Sequence, residues 1–79
     1  MPTVLSIKGF RFFFFSADKN EPIHVHVKKG KGDGKIWLEP KPYPEYFFDF
    51  KPQEESQIMK IVNKNHELLI SKWNEYFNK

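Results

Sequence analysis

The chain has 79 residues, enough for one small soluble domain, and 13 Lys and Arg against 10 Asp and Glu give it a net charge of +3. It has no cysteine, which excludes disulfides, thiolate zinc sites and thiol nucleophiles. Aromatic residues make up 18 % of it, too many for a disordered tail, so a packed core is expected. No apolar run approaches the roughly 20 residues of a membrane span, and the start lacks a signal-peptide pattern. We expect a cytoplasmic protein without membrane contact.

Three strands are predicted in the first thirty residues. The first covers residues 3–7, where apolar and polar positions alternate, and the second covers residues 10–15. The second is apolar on both faces, which is typical of a strand covered on both sides. A polar stretch rich in turn residues follows at 16–22, and a third strand is predicted over 23–29.

A hairpin is predicted next, with its turn at Asp33-Gly34. This residue pair tolerates the positive φ angles of a type I′ turn, and a fourth strand over 35–39 returns from it. With a two-residue turn there, Lys28 would lie opposite Glu39 as a weak cross-strand ion pair. In that register Trp37 would share a face of the sheet with His24, His26 and Lys28, which alternate with the valines of the third strand.

The rest of the chain changes from extended to helical. Three prolines within residues 40–44 predict an extended linker, and the aromatic residues 45–50 predict a short fifth strand or an ordered loop. From Pro52 onward the apolar residues recur at three- and four-residue spacing. One long helix is therefore predicted over residues 52–78, with a break near 63–65 as an alternative.

Together these elements predict a single α+β domain over residues 1–79. A four- to five-stranded, mainly antiparallel sheet over residues 1–50 is followed by one long C-terminal helix packed on one face. Because one helix covers only one face of such a sheet, the second strand needs another cover. That cover would be the aromatic segment 43–50, a second copy of the chain or a different protein.

Five stretches of the sequence form a specific combination of motifs. They are Met-Pro-Thr-Val-Leu at the start, Gly-Phe-Arg-Phe-Phe-Phe from Gly9, Asn-Glu-Pro-Ile-His-Val-His-Val from Asn20, Lys-Ile-Trp-Leu-Glu-Pro from Lys35 and Trp-Asn-Glu-Tyr-Phe from Trp73. The combination resembles a bacterial family catalogued as domain of unknown function 4160, over essentially the whole chain. One departure is Lys51, since relatives tend to carry a capping Ser before the helix.

The resemblance implies a small prokaryotic protein to which no reaction has been assigned. It also implies a neighbouring gene that often encodes a second small domain of unknown function, number 2442. Such a pairing has the character of a toxin–antitoxin module.

The most informative local feature is the pair His24 and His26. Residues i and i+2 of a strand point to the same side, so the imidazoles would lie about 6–7 Å apart. A structural or partner-contacting role is favoured, and neither a metal nor a cofactor is predicted. The alternative is a metal held by both histidines and a third ligand. The residues that could supply this ligand are Glu21, Glu39 and His66.

A catalytic role for the two histidines is a second alternative. Imidazoles titrate near neutral pH and could act as base and acid in RNA cleavage, with Arg11 or a lysine holding the phosphate. The lysines available for this are Lys28, Lys31 and Lys35. Arg11, the only arginine, is otherwise expected to pair with a carboxylate or to stack on a ring if it is exposed. The carboxylates considered for it are Glu21, Glu39 and Asp49.

The Lys- and Gly-rich hairpin contains the ingredients of a phosphate cradle but lacks P-loop spacing and a following helix, so a solvated tip is favoured. We therefore favour a protein-interaction module over an enzyme, forming a homo-oligomer or binding a small partner encoded nearby. The alternatives are a small ribonuclease-like toxin and a regulator that binds nucleic acid through the hairpin lysines. The predicted binding residues are Glu21, Lys28, Lys31, Lys35, Trp37 and Glu39.

Overall fold

A computed structural model describes residues 3–77 of the chain. Five strands form one antiparallel sheet in the order β1-β2-β3-β4-β5, and two helices follow. The elements are β1 (Thr3–Ile7), β2 (Phe10–Phe13), β3 (His24–Lys29), β4 (Gly32–Trp37), β5 (Tyr43–Phe48), α1 (Pro52–Lys64) and α2 (His66–Tyr76). A short 3-10 turn, Ser16–Asn20, lies between β2 and β3. The predicted α+β class, with its antiparallel sheet and C-terminal helical part, is confirmed.

The hairpin between β3 and β4 turns at Gly30–Lys31, so the prediction of a turn at Asp33-Gly34 is wrong. Gly30 has a φ of 57°, which matches the positive φ at the first central position of a type II′ turn. The register changes with the turn. Lys28 lies opposite Asp33, and the predicted pairing with Glu39 does not form.

Gly32 and Gly34, which were predicted to lie in the loop, are residues of β4. Aromatic rings occupy the space where their side chains would be. A Cβ atom on Gly34 would lie 2.8 Å from Cδ1 of Phe47, and one on Gly32 would lie 2.2 Å from the ring of Phe50. The glycines therefore allow β5 and the residues after it to pack closely over β4. This close approach, which sequence alone did not reveal, decides the register.

The hydrophobic core lies between one face of the sheet and the two helices. Its buried members alternate along the strands and recur at helical spacing in α1 and α2. They are Phe10, Phe12, Phe14, Val25, Val27, Ile36, Leu38, Ile58, Ile61, Val62, Leu69 and Trp73. In the part of the chain described here, no helix is long and apolar enough to cross a membrane.

The C-terminal helical part is divided at Asn65, where φ is −108° and ψ is 21°. Nδ2 of Asn65 donates a hydrogen bond to the carbonyl of Ile61 at 2.8 Å and closes α1. The single long helix is thus interrupted within the window predicted for a break, and its predicted end at residue 78 lies outside the described residues. At the start of α1, Oε1 of Glu54 accepts the backbone N–H of Lys51 at 2.9 Å.

Candidate functional site

The face of the sheet opposite the helices, here called the helix-free face, carries the residues that alternate with the core. Because residues directly opposite each other in antiparallel strands share a face, the register arranges these residues in three cross-strand rows. The Arg11 row contains Arg11, Lys28, Asp33 and Phe48; the His26 row contains Phe13, His26, Lys35 and Tyr46; the His24 row contains His24, Trp37 and Tyr43.

The Ser16–Asn20 turn covers one end of the helix-free face. Asp18 is its one buried residue, and the carboxylate oxygen Oδ2 of Asp18 accepts the backbone N–H of Phe15 at 2.8 Å. The same oxygen lies 3.1 Å from Nε2 of His26 and 3.2 Å from Nε2 of His24. The turn therefore brings a carboxylate between the two imidazoles, and we call these three residues the Asp18 cluster.

His24 is fully buried and its ring orientation is defined by the backbone. Its Nδ1 lies 2.8 Å from the carbonyl oxygen of Pro22. Since a carbonyl only accepts, Nδ1 carries a proton and donates it there. Its Nε2 has no hydrogen-bond partner in residues 3–77, although it faces Asp18. The ring also contacts the indole of Trp37 on the same face and that of Trp73 on α2, with centroids 5.4 and 5.3 Å away, so α2 reaches the helix-free face at His24.

His26 lies beside His24, and only 8 % of its surface is exposed. Its ring stacks on Phe13 at a centroid distance of 5.6 Å and meets the edge of Phe15 at 4.6 Å. Burial lowers the pKa of His26 below its ordinary value of 6.5, and the Asp18 carboxylate partly opposes this shift. The site therefore stabilises the neutral form of this imidazole.

Next to the Asp18 cluster, four side chains form a chain of polar contacts on the helix-free face: Glu21, Lys35, Trp37 and Glu45. Nζ of Lys35 donates to Oε1 of Glu21 at 2.6 Å and lies 4.5 Å from the centre of the Trp37 ring. The hydrogen bond from Lys35 lowers the pKa of Glu21 below 4.5. Nε1–H of Trp37 donates to Oε2 of Glu45. Sequence reasoning grouped Lys35, Trp37 and Glu21 as binding residues, and the structure brings Lys35 into contact with both of the others.

Arg11 is exposed and donates from its guanidinium to Oγ1 of Thr3 at 3.3 Å, so its observed partner is a hydroxyl instead of a carboxylate or a ring. Lys28 lies directly opposite Arg11 across the β2–β3 pair and is also exposed. Lys31 is exposed in the hairpin turn, and Glu39 is exposed just after β4.

The third member of the Asp18 cluster differs from the candidates considered from the sequence. Glu21 pairs with Lys35, Glu39 is exposed, and His66 Nε2 contacts the backbone carbonyl of Leu38. Asp18 takes the place between the imidazoles because the turn folds back over β3. The sequence carried one weak signal for it, an acidic residue in a short polar connection before the histidines.

A family model described as Domain of unknown function (DUF4160) matches residues 9–74. The chain belongs to this family. Searches among curated proteins and among solved structures found no match to it. The resemblance noted from the sequence motifs is thereby confirmed, and the matched residues include both histidines of the Asp18 cluster and the whole helix-free face from β2 to β5.

In this DUF4160 chain, aromatic side chains remain exposed on the helix-free face. Phe48 is 65 % exposed, Tyr43 is 47 % exposed and Phe15 is 42 % exposed. The aromatic segment that contains the first two was one of three covers considered for this face. It forms the edge strand β5 instead, so it extends the face and does not cover it.

Proposed function

We propose that this chain is a protein-binding module that docks a small partner protein on its helix-free face, as one member of a toxin–antitoxin-like pair. The observation that carries the proposal is the exposure of Phe48, Tyr43 and Phe15 on that face. Large aromatic side chains left in water cost free energy, and they dominate the energetics of protein interfaces once a partner covers them.

The charges of the Arg11 row indicate what the partner offers. Arg11 and Lys28 are directly opposite each other and both exposed, an arrangement that is unfavourable for two like charges. Asp33, opposite Lys28 on its other side, is the one carboxylate of this row, so two positive charges face one negative charge, and within residues 3–77 neither Arg11 nor Lys28 is within ion-pair distance of a carboxylate. An acidic side chain of the partner would relieve this repulsion. We therefore infer a partner surface with apolar side chains flanked by at least one Asp or Glu.

The mode of docking follows from the edge strand. Pro44 lies within β5 and lacks the N–H that a further strand would need, so continuous strand addition at this edge is disfavoured. At the β5 edge, docking would therefore use the side chains of the face more than the free backbone. The neighbouring-gene product implied by the family resemblance, a domain of unknown function 2442 protein, is the partner we propose.

The experiment uses the full chain and that neighbouring-gene product, with affinity measured by titration calorimetry. Phe48→Ser and Arg11→Glu should each weaken binding by about tenfold or more, as expected for anchor residues. Leu68→Ser is the matched control, because Leu68 is also an exposed apolar residue, 42 % exposed, but lies on α2. Wild-type affinity in Phe48→Ser, or self-association of the chain through this face without the partner, would contradict the proposal.

Two other functions stay as predictions with less support from the geometry. A ribonuclease would need His24 and His26 to reach a phosphodiester, and His24 is fully buried. Arrest of bacterial growth on induction of this chain, abolished by His24→Ala/His26→Ala at matched soluble expression, would favour that function. A nucleic-acid regulator would use the hairpin lysines, yet Lys29 and Lys35 already face Glu54 and Glu21. Affinity falling steeply with salt would favour it.

A further inference from the structure

We propose that the Asp18 cluster is a binding site for a divalent transition metal of the zinc type, with Oδ2 of Asp18 and Nε2 of His24 and His26 as ligands. This site goes beyond the docking surface and does not depend on it. Two imidazole nitrogens and one carboxylate oxygen form a donor set that zinc uses in proteins, with the fourth position left open. The three donor atoms lie within 4.8 Å of one another.

The first argument is the hydrogen-bonding state of His24. Its Nδ1–H donates to the carbonyl of Pro22, so the neutral ring has a lone pair on Nε2. That lone pair faces Oδ2 of Asp18 at 3.2 Å, inside a fully buried environment. Two electron-rich atoms in such contact need a cation or a proton between them. The absence of any hydrogen bond from Nε2 within the described residues favours the metal over the proton.

The second argument is the number of partners at Oδ2 of Asp18. This oxygen meets the N–H of Phe15 and both imidazoles, three neighbours for two lone pairs. A metal bound to both imidazoles replaces two of these contacts by one bond. The N–H of Phe15 then keeps the second lone pair and orients the carboxylate, as partners of ligating carboxylates do.

The third argument is distance. Bonds of about 2.0–2.1 Å in a tetrahedral site place ligand atoms about 3.3 Å apart. The oxygen–nitrogen distances of 3.2 and 3.1 Å from Asp18 to His24 and His26 already match this edge length. The two imidazole nitrogens, which lie within 4.8 Å of each other, would approach to about the same separation when a metal binds.

The surroundings of the cluster fit a metal centre as well. The hydrogen bond from Nδ1 of His24 to a backbone carbonyl is the outer-shell contact that metal-binding histidines usually make. Aromatic rings enclose the cluster and limit access of water: Phe13, Phe15, Trp37 and Trp73. The Ser16–Asn20 turn that carries Asp18 has its other four residues exposed, so the cluster lies close to the surface.

The test uses the full chain, stripped of metal with a chelator, and Zn²⁺ as the probe. Calorimetry should give one bound ion per chain. On adding Zn²⁺ to the wild-type chain, the nitrogen NMR shifts should change at Nε2 of His24 and His26 and stay constant in His66. This measurement needs no variant. Co²⁺ should give the visible absorption of a tetrahedral site, since its colour reports coordination directly.

His26→Gln and Asp18→Asn should each lower Zn²⁺ affinity by more than roughly 100-fold, beyond what loss of an outer-shell partner costs. His66→Gln is the matched control and should bind as the wild type does, because His66 contacts Leu38 and not the cluster. No binding by the wild-type chain, unchanged imidazole shifts on adding Zn²⁺, or equal affinity in His26→Gln would overturn the proposal.

Discussion

Oδ2 of Asp18 lies 3.1 Å from Nε2 of His26, and this contact attaches the connection between β2 and β3 to the helix-free face. The carboxylate is buried, so its hydrogen bonds are not replaced by water when they are lost. This contact gives the turn a defined position, and it joins the helix-free face to the candidate metal site.

Replacing this carboxylate should destabilise the fold even without metal. In Asp18→Ala the N–H of Phe15 and the imidazole of His26 lose their acceptor, and a buried donor left unpaired costs about 1–3 kcal/mol. The free energy of unfolding, measured by urea denaturation in chelator, should fall by about 2 kcal/mol. Lys19→Ala, an exposed neighbour in the same turn, should change it by less than about 0.5 kcal/mol. Equal losses of unfolding free energy in Asp18→Ala and Lys19→Ala would contradict the view that Asp18 holds the turn in place.

The two glycines beside the hairpin should respond differently to substitution. Gly32→Ala places a Cβ 2.2 Å from the Phe50 ring, so overpacking should cost about 1–3 kcal/mol of unfolding free energy. Gly30→Asn introduces a residue that tolerates a φ of 57°, and its Cβ would meet no atom within 4 Å. This change should therefore cost much less unfolding free energy. Urea denaturation of both variants tests the register. A larger loss in Gly30→Asn than in Gly32→Ala would contradict the observed turn.

The ion pair between Glu21 and Lys35 should be visible in the titration of Glu21. The hydrogen bond from Lys35 lowers the pKa of Glu21 below 4.5 in the folded state. The pair therefore contributes stability above pH 4.5, and this contribution is lost as the pH falls through the folded-state pKa. Carbon NMR of the side-chain carboxyl should show the lowered pKa, and Lys35→Met should raise it again. A Glu21 pKa that does not move in Lys35→Met would show that another group causes the shift.

The two faces of the sheet should tolerate loss of an aromatic ring to different degrees. Phe12 is fully buried in the core, so Phe12→Ala should cost about 3–5 kcal/mol of unfolding free energy. Phe48→Ala removes a ring that is 65 % exposed and should cost about 0.5 kcal/mol or less. Denaturation curves of the isolated chain measure both. A large loss in Phe48→Ala would mean that this ring supports the fold and is not kept for a partner.

The fold was largely predictable because hydrophobic periodicity carries most of the signal. Alternation marked β1 and β3, a continuous apolar run marked β2, and the change to helical spacing at Pro52 marked α1. The register of the β3–β4 hairpin was missed because Asp33-Gly34 has the favoured local turn chemistry. Packing of Phe47 against Gly34 outweighed that preference.

The candidate site was predictable only in part. Alternate positions in one predicted strand implied that His24 and His26 share a face, since side chains two apart point the same way. Nothing local indicated that Asp18 would lie between them. That approach depends on where β2 ends, at Phe13, and on how the following turn crosses the sheet.

The sequence by itself determined the α+β class, the absence of thiol chemistry and the pairing of the two histidines, because each follows from composition or from spacing along the chain. The family was indicated by the resemblance of five motifs. Only the tertiary structure decided that Asp18 completes the cluster and that Phe48 and Tyr43 extend an exposed face. Contacts between residues far apart in the chain depend on the packing of whole elements, and no local pattern encodes the distance at which a carboxylate meets an imidazole.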